Sequence, residues 1–375
     1  MKIIRFFTKK PLNILLLGLP LAILAEALHW GEIWVFIFSA VGVVPMAGYI
    51  GEATEALAAR TGPRVGGLLN ATLGNAAELI ITIVAIREGL LELVKASITG
   101  SILGNVLLVM GMSMLLGGMK HGTQRFDQRQ AGNNAILLVL AIVALVIPSV
   151  LSHSIGPDTS VAVETLSLGV AGTMMVLYLL GILFSFKLQA SLKQTGKKTE
   201  HETAAMHPPA ASSGDHVSHP NWSVRTSLIV LGIATVGVAF LSELLVGAVE
   251  PVVDSLGVSE FFLGVILIPI VGNVAEHLVA VKVAIQNKMD LSVEIAIASS
   301  LQIALFVTPV LVFISLLLGN PLQLIFNQFE LLALIAGVLI TALVSSDGES
   351  NWLEGAELLA VYLILGLAFF LLPVK

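Results

Sequence analysis

Apolar runs of about 20 residues, the length a helix needs to cross the hydrocarbon of a bilayer, follow one another along most of this 375-residue chain. Only 12% of the residues are charged, about half the usual share of a soluble domain. The backbone of such runs must satisfy its own hydrogen bonds in lipid, so the reading is an all-α polytopic membrane protein. Eleven spans are expected, near 12–30, 32–60, 62–91, 96–119, 131–152, 161–189, 223–255, 258–287, 291–318, 324–345 and 351–373. Residues 190–222 form the one long polar stretch and read as a linker. It carries His201, His207, His216 and His219, which read as inert residues of a solvated tract.

Charge distribution orients the layout. With the N-terminus in the cytoplasm, 16 of the 19 Lys and Arg fall on the inner side, as the positive-inside rule requires. Trp30, Trp34, Trp222 and Trp352 all sit at span ends and read as interfacial anchors. The chain has no cysteine, which excludes disulfides and thiolate metal sites. No basic cluster or aromatic platform points to nucleic acid, and no resident cofactor is implied.

The sequence also repeats itself. Gly74-Asn75-Ala76-Ala77-Glu78 recurs as Gly272-Asn273-Val274-Ala275-Glu276, at an offset of 198. The same offset pairs Glu52 with Glu250, Gly66 with Gly264, Ser101 with Ser299 and Leu107 with Leu305. The copies lie on spans of opposite direction. The expected architecture is therefore an extra N-terminal helix (1–31), a first five-helix repeat (32–189), the cytoplasmic linker (190–222) and an inverted second five-helix repeat (223–375). Inverted repeats place substrate sites near the midplane and build them from interrupted helices.

Glu78 and Glu276 fall near the middle of their spans. A carboxylate at that depth costs roughly 2.5–3.5 kcal/mol or more unless paired or hydrated, which makes it a functional candidate. Gly74-Asn75 and Gly272-Asn273 both weaken a helix, so a break is expected at each, freeing carbonyl oxygens to line a cavity. Pro269 removes a further amide donor. Ser101 and Asn105, and Ser299 and Gln302, share helix faces downstream, with Ser300 beside them. These amides, hydroxyls and carboxylates make a hard oxygen site, which suits Ca²⁺ better than Zn²⁺ or Mg²⁺ and leaves Mn²⁺ open. Two carboxylates would also bind protons in competition with the cation, which is the logic of an exchanger. Na⁺ coupling and a cation channel stay open as alternatives; no nucleophile–base pair supports an enzyme. Glu52, Glu250 and His277 are candidates for vestibule or gating positions. Glu294, at the start of the span near 291–318, reads as the solvated end of a short loop.

At these residues the chain resembles the cation/proton exchangers of the Ca²⁺/cation antiporter superfamily, and looks like a prokaryotic Ca²⁺/H⁺ antiporter. The resemblance rests on the doubled motif, on Gly100-Ser101-Ile102-Leu103-Gly104-Asn105, and on Ser299-Ser300-Leu301-Gln302-Ile303-Ala304-Leu305-Phe306. It implies that Glu78 and Glu276 carry both cation and proton, with Asn75, Asn273, Ser101, Ser299 and Gln302 as flanking ligand or gating positions. It further implies long gating helices at 32–60 and 223–255, residence in a prokaryotic cell membrane, and a homo-oligomer, often a trimer. One departure concerns 190–222: the family often has an acidic helix there, whereas this stretch holds only Glu200, Glu202 and Asp215 as acids.

Overall fold

A computed structural model describes residues 11–61, 63–157, 160–194 and 222–372. The linker histidines lie outside the described residues. A 3₁₀ segment, Pro11–Leu17, leads into α1 (Gly18–Ala27). Then come α2 (Glu32–Thr61), α3 (Pro63–Leu73), α4 (Ala76–Arg87), α5 (Leu91–Leu103), α6 (Met110–His121), α7 (Gln128–Ile155) and α8 (Val161–Gln194). The second half of the chain forms α9 (Val224–Gly247), α10 (Val249–Leu256), α11 (Ile268–Ile285), α12 (Met289–Gln302), α13 (Thr308–Leu318), α14 (Gln328–Val344) and α15 (Trp352–Phe370). Among the described residues eight helices are long and apolar enough to cross a membrane, and Leu12–Ala27 and Gln328–Val344 are shorter apolar helices.

Three single π turns interrupt the helices, at Gly104–Val109, Leu263–Leu267 and Ile303–Val307. Each is marked by a bond from residue i to i−5: Met110 N–H to Asn105 O, Ile268 N–H to Leu263 O, and Thr308 N–H to Ile303 O. Such bulges recur at functional positions in helices. Two departures from the expected spans have local causes. The stretch 223–255 is not one long helix: α9 stops at Gly247, and the eight-residue α10 starts afresh, with Pro251 in its first turn. The span expected at 324–345 starts its helix only at Gln328, where Asn327 and Glu330 form a capping box.

The chain divides into two compact units. Of the described residues, those within 1–97, 215–276 and 369–375 form the first and those within 98–214 and 277–368 the second. Each takes helices from both halves of the sequence. In the first unit, small residues bring backbones together, the way helices associate without a hydrophobic driving force in lipid. A Cβ at Gly18 would stand 2.5 Å from Gly42 N, so α1 and α2 cross in direct backbone contact. Tyr49 Oη donates to Asn13 Oδ1 at 2.9 Å across the same pair. Ala47, Ile50, Ala76, Ala77, Ala234 and Val238 then pack as one core, fixing the start of α4 against α2 and α9.

In the second unit a non-helical stretch before α14 buries Leu322, Leu324 and Phe326, whose N–H groups have side-chain partners. Three serines supply them: Ser315, Ser167 and Ser149 accept from the N–H groups of Leu322 (2.7 Å), Leu324 (3.0 Å) and Phe326 (2.9 Å). Irregular backbone away from water needs such partners. A two-residue antiparallel pairing, Gln124 with Ser350 and Arg125 with Glu349, ties the segments before α7 and α15.

Candidate functional site

The first motif sits where the first unit breaks a helix. Gly74 N–H closes α3 onto Asn70 O at 2.9 Å, and Leu79 N–H reopens the pattern onto Asn75 O at 2.9 Å. Asn75 itself has φ −99° and ψ 26°, outside helical geometry, as expected where glycine and asparagine meet. Glu78 lies in the first turn of α4, where the positive end of the helix dipole favours a carboxylate. It is 2% exposed, with Asn75 at 3% and Asn273 at 2%. Thr82, one turn on, donates from Oγ1 to Glu78 O at 2.7 Å. Sequence reasoning missed Thr82; its signal was the spacing of four from Glu78, but the repeat carries Ala280 at the matching place and so gave no echo.

The second motif comes up against the first within this unit. A Cβ built on Gly272 would lie 3.7 Å from Glu78 Cβ, so the two copies are neighbours here, with room for a methyl group at ordinary contact distance. On its other side, a Cβ on Gly48 of α2 would lie 3.6 Å from Ala275 Cβ, next to Glu276. The expected break at Gly272-Asn273 is absent: α11 runs unbroken from Ile268 to Ile285. The irregularity is displaced upstream. Pro269 has no N–H for the carbonyl four residues back, Val265, which lies in the π turn Leu263–Leu267. The π turn absorbs the lost bond, and Gly272 and Asn273 then stay helical. Glu276 is half-buried where Glu78 is buried.

In the second unit the downstream polar residues assemble into a connected network. Asn105 Nδ2 donates to Ser299 Oγ at 3.0 Å, and His277 Nε2 lies 3.2 Å from Asn105 Oδ1. Asn105 belongs to the π turn Gly104–Val109. Ser101, Asn105, Ser299, Ser300 and Gln302 are all buried. Ser300 Oγ donates to backbone, at 3.0 Å from Ala296 O and 3.4 Å from Ile102 O, which ties α12 to α5. Thr341 Oγ1 likewise reaches Val106 O in the first π turn at 3.2 Å.

Other acids divide by environment. Glu52, on α2, is half-buried, and Glu250, in the first turn of α10, is exposed. Glu330 is fully buried yet accounted for: it caps α14 and accepts from Thr99 Oγ1 at 3.2 Å. Glu294 is a correction. It is not a solvated loop end but a half-buried side chain on α12, accepting a hydrogen bond from Gln130. The loop before α12 is short enough that α7 covers this position. Among the described residues no group of three or more His, Asp or Glu is set to hold a metal. What the first unit brings together around the two motifs is a small number of carboxylates with amide and backbone oxygens.

The family model for sodium/calcium exchanger proteins matches residues 31–187 and 226–371, and the chain belongs to that family. It is an integral membrane protein of a transporter family. Its full-length relatives narrow the class: it is 46% identical over 366 residues to a Ca(2+)/H(+) antiporter of Aphanothece halophytica, covering 96% of each chain. It is 43% identical over 356 residues to the Ca(2+)/H(+) antiporter ChaA of Bacillus subtilis, covering 95% of this chain and 97% of that one. The solved structure of native YfkE matches at TM-score 0.81 and 41% identity, over 96% of this chain and all of that one. The H+/Ca2+ exchanger CAX, at 14% identity and TM-score 0.68, shares the fold.

Proposed function

We propose that this protein exchanges Ca²⁺ for H⁺ across the bilayer by alternating access, with Glu78 and Glu276 binding cation and protons in turn. Relatives at 43% and 46% identity named as Ca(2+)/H(+) antiporters support the ion pair. The observation that carries the site is the burial of Glu78, at 2% exposure, beside a helix break and against Gly272 of the second copy. A carboxylate held in that way without function is expensive. Ca²⁺ accepts the mixed set of carboxylate, amide and carbonyl oxygens that Glu78, Asn75, Asn273 and Glu276 supply.

In this reading the chain spans the bilayer eleven times, as one extra N-terminal helix followed by two inverted five-helix repeats, with the N-terminus in the cytoplasm. Occupied by Ca²⁺ or by protons, the two carboxylates are close to neutral and cross between the two access states; empty and charged, they do not. Glu52 and Glu250 serve as vestibule acids that raise local cation concentration. His277, Asn105 and Ser299 link α11, the first π turn and α12 through their side chains.

The test is ⁴⁵Ca²⁺ uptake into vesicles under an imposed pH gradient, for wild type, Glu78→Gln and Glu276→Gln. Wild type should take up Ca²⁺ in proportion to the gradient and both variants should fall to background. Uptake that ignores the pH gradient but follows a Na⁺ gradient would overturn the coupling, and full flux in Glu78→Gln would overturn the site.

A further inference from the structure

A second acidic place lies in the second unit, where the starts of α7 and α12 meet. A cavity of about 10 Å³ there is lined by Asp127, Gln130, Asn134, Asp290 and Glu294 together with apolar side chains, and no basic residue lines it. Part of the arrangement is explained by helix capping. Asp127 Oδ1 accepts from Gln130 N–H at 2.9 Å and caps α7, and Asp290 Oδ1 accepts from Asp127 N–H at 2.5 Å. Both carboxylates thus sit at helix N-termini, where negative charge is favoured.

Capping does not account for two further side chains. Glu294 stands four residues after Asp290 on α12, a like-charge spacing that destabilises a helix unless something offsets it. Asn134 is 3% exposed, lines the same cavity, and its Oδ1 has no hydrogen-bond partner. A buried amide oxygen without a donor costs on the order of 1–3 kcal/mol. The cavity is about the size of one water-sized sphere. A water would satisfy Asn134 but leave the like charges of Asp290 and Glu294, one turn apart on the same face of α12, unopposed.

We infer that this cavity is a second cation site, separate from Glu78 and Glu276, taking a hard divalent ion on Asp290, Glu294 and Asn134 Oδ1. Gln130, bonded to Glu294, is a positioning residue. Three protein oxygens leave room for retained waters, a coordination that both Ca²⁺ and Mg²⁺ accept.

The test is Mn²⁺ binding to the full chain in detergent, read by electron paramagnetic resonance, in a Glu78→Gln/Glu276→Gln background. One saturable Mn²⁺ per chain is expected there, displaced by Ca²⁺ or by Mg²⁺; the more potent competitor identifies the resident ion. Adding Glu294→Gln or Asn134→Leu should weaken it by at least about tenfold. Asn134→Asp should tighten it, an outcome that misfolding cannot mimic. Absence of saturable Mn²⁺ in the background protein, or binding that none of these three substitutions changes, would overturn the proposal and leave a structural water as the occupant. Transport by the background protein would instead refute the role of Glu78 and Glu276 and leave this result standing.

Discussion

The two Gly-Asn-x-Ala-Glu segments have nearly the same residues and different backbones. At the first, the helix stops at Leu73 and restarts at Ala76, and the glutamate that follows is buried. At the second, the helix is continuous and the glutamate half-buried, while the irregularity sits at Leu263–Leu267. The difference traces to one residue. Pro269 has Ala71 as its counterpart at the offset of 198, so only the second copy loses a donor one turn before the motif. A lost hydrogen bond placed upstream becomes a π turn. Where the donor is kept, the Gly-Asn pair itself yields. The same residues are thus held at a helix break on one side and on a continuous helix with an upstream π turn on the other.

That asymmetry predicts unequal responses to equal changes. The largest effect should come from shortening the carboxylates. Glu78→Asp should abolish ⁴⁵Ca²⁺ flux, because a corner packed against Ala47, Ala234 and Gly272 cannot follow the shorter side chain, whereas Glu276→Asp should keep measurable flux. Equal losses would break the comparison. Next comes the His277–Asn105–Ser299 network. Asn105→Ala removes the link between His277 and Ser299 and should lower Ca²⁺ affinity about 10- to 100-fold, as loss of an orienting partner does. Ca²⁺ titration of flux measures it.

Glycine substitutions should sharpen the contrast. Gly74→Ala favours a continuous helix by about 1 kcal/mol and should slow hydrogen exchange across 74–79 while reducing flux. Gly272→Ala starts from a position already helical, with its new methyl 3.7 Å from Glu78 Cβ, and should leave exchange unchanged. The smallest expected effect is that of Pro269→Ala, which restores a donor to Val265 O; exchange across 263–269 should slow, with flux reduced less than by Gly74→Ala.

The apolar runs made the all-helical membrane class legible, because length and hydropathy alone decide whether a segment crosses a bilayer. The break at Gly74-Asn75 was legible too, since both residues act locally. The same dipeptide misled at 272–273, where a proline three residues earlier changed which bond was missing. The stretch before α14 could not be read, for its amides depend on Ser149, Ser167 and Ser315, and Ser149 and Ser167 lie more than 150 residues away. The π turn Gly104–Val109 shares that difficulty: no proline follows it, and Thr341, 235 residues on from Val106, reaches the Val106 carbonyl. Thr82 and Asn134 escaped notice because neither has a polar counterpart at the offset of 198, where Ala280 and Leu332 stand.

In the proposed exchange the same carboxylates carry cation and proton. This is tested most directly by counting protons released when Ca²⁺ binds the purified protein, by calorimetry in buffers of different ionisation enthalpy. Ligands that exchange protons for a metal release them on binding. Wild type should release protons as Ca²⁺ saturates the site, and Glu78→Gln should lose both the tight binding and the release. Tight Ca²⁺ binding with no proton released, or release unchanged in Glu78→Gln, would contradict the account.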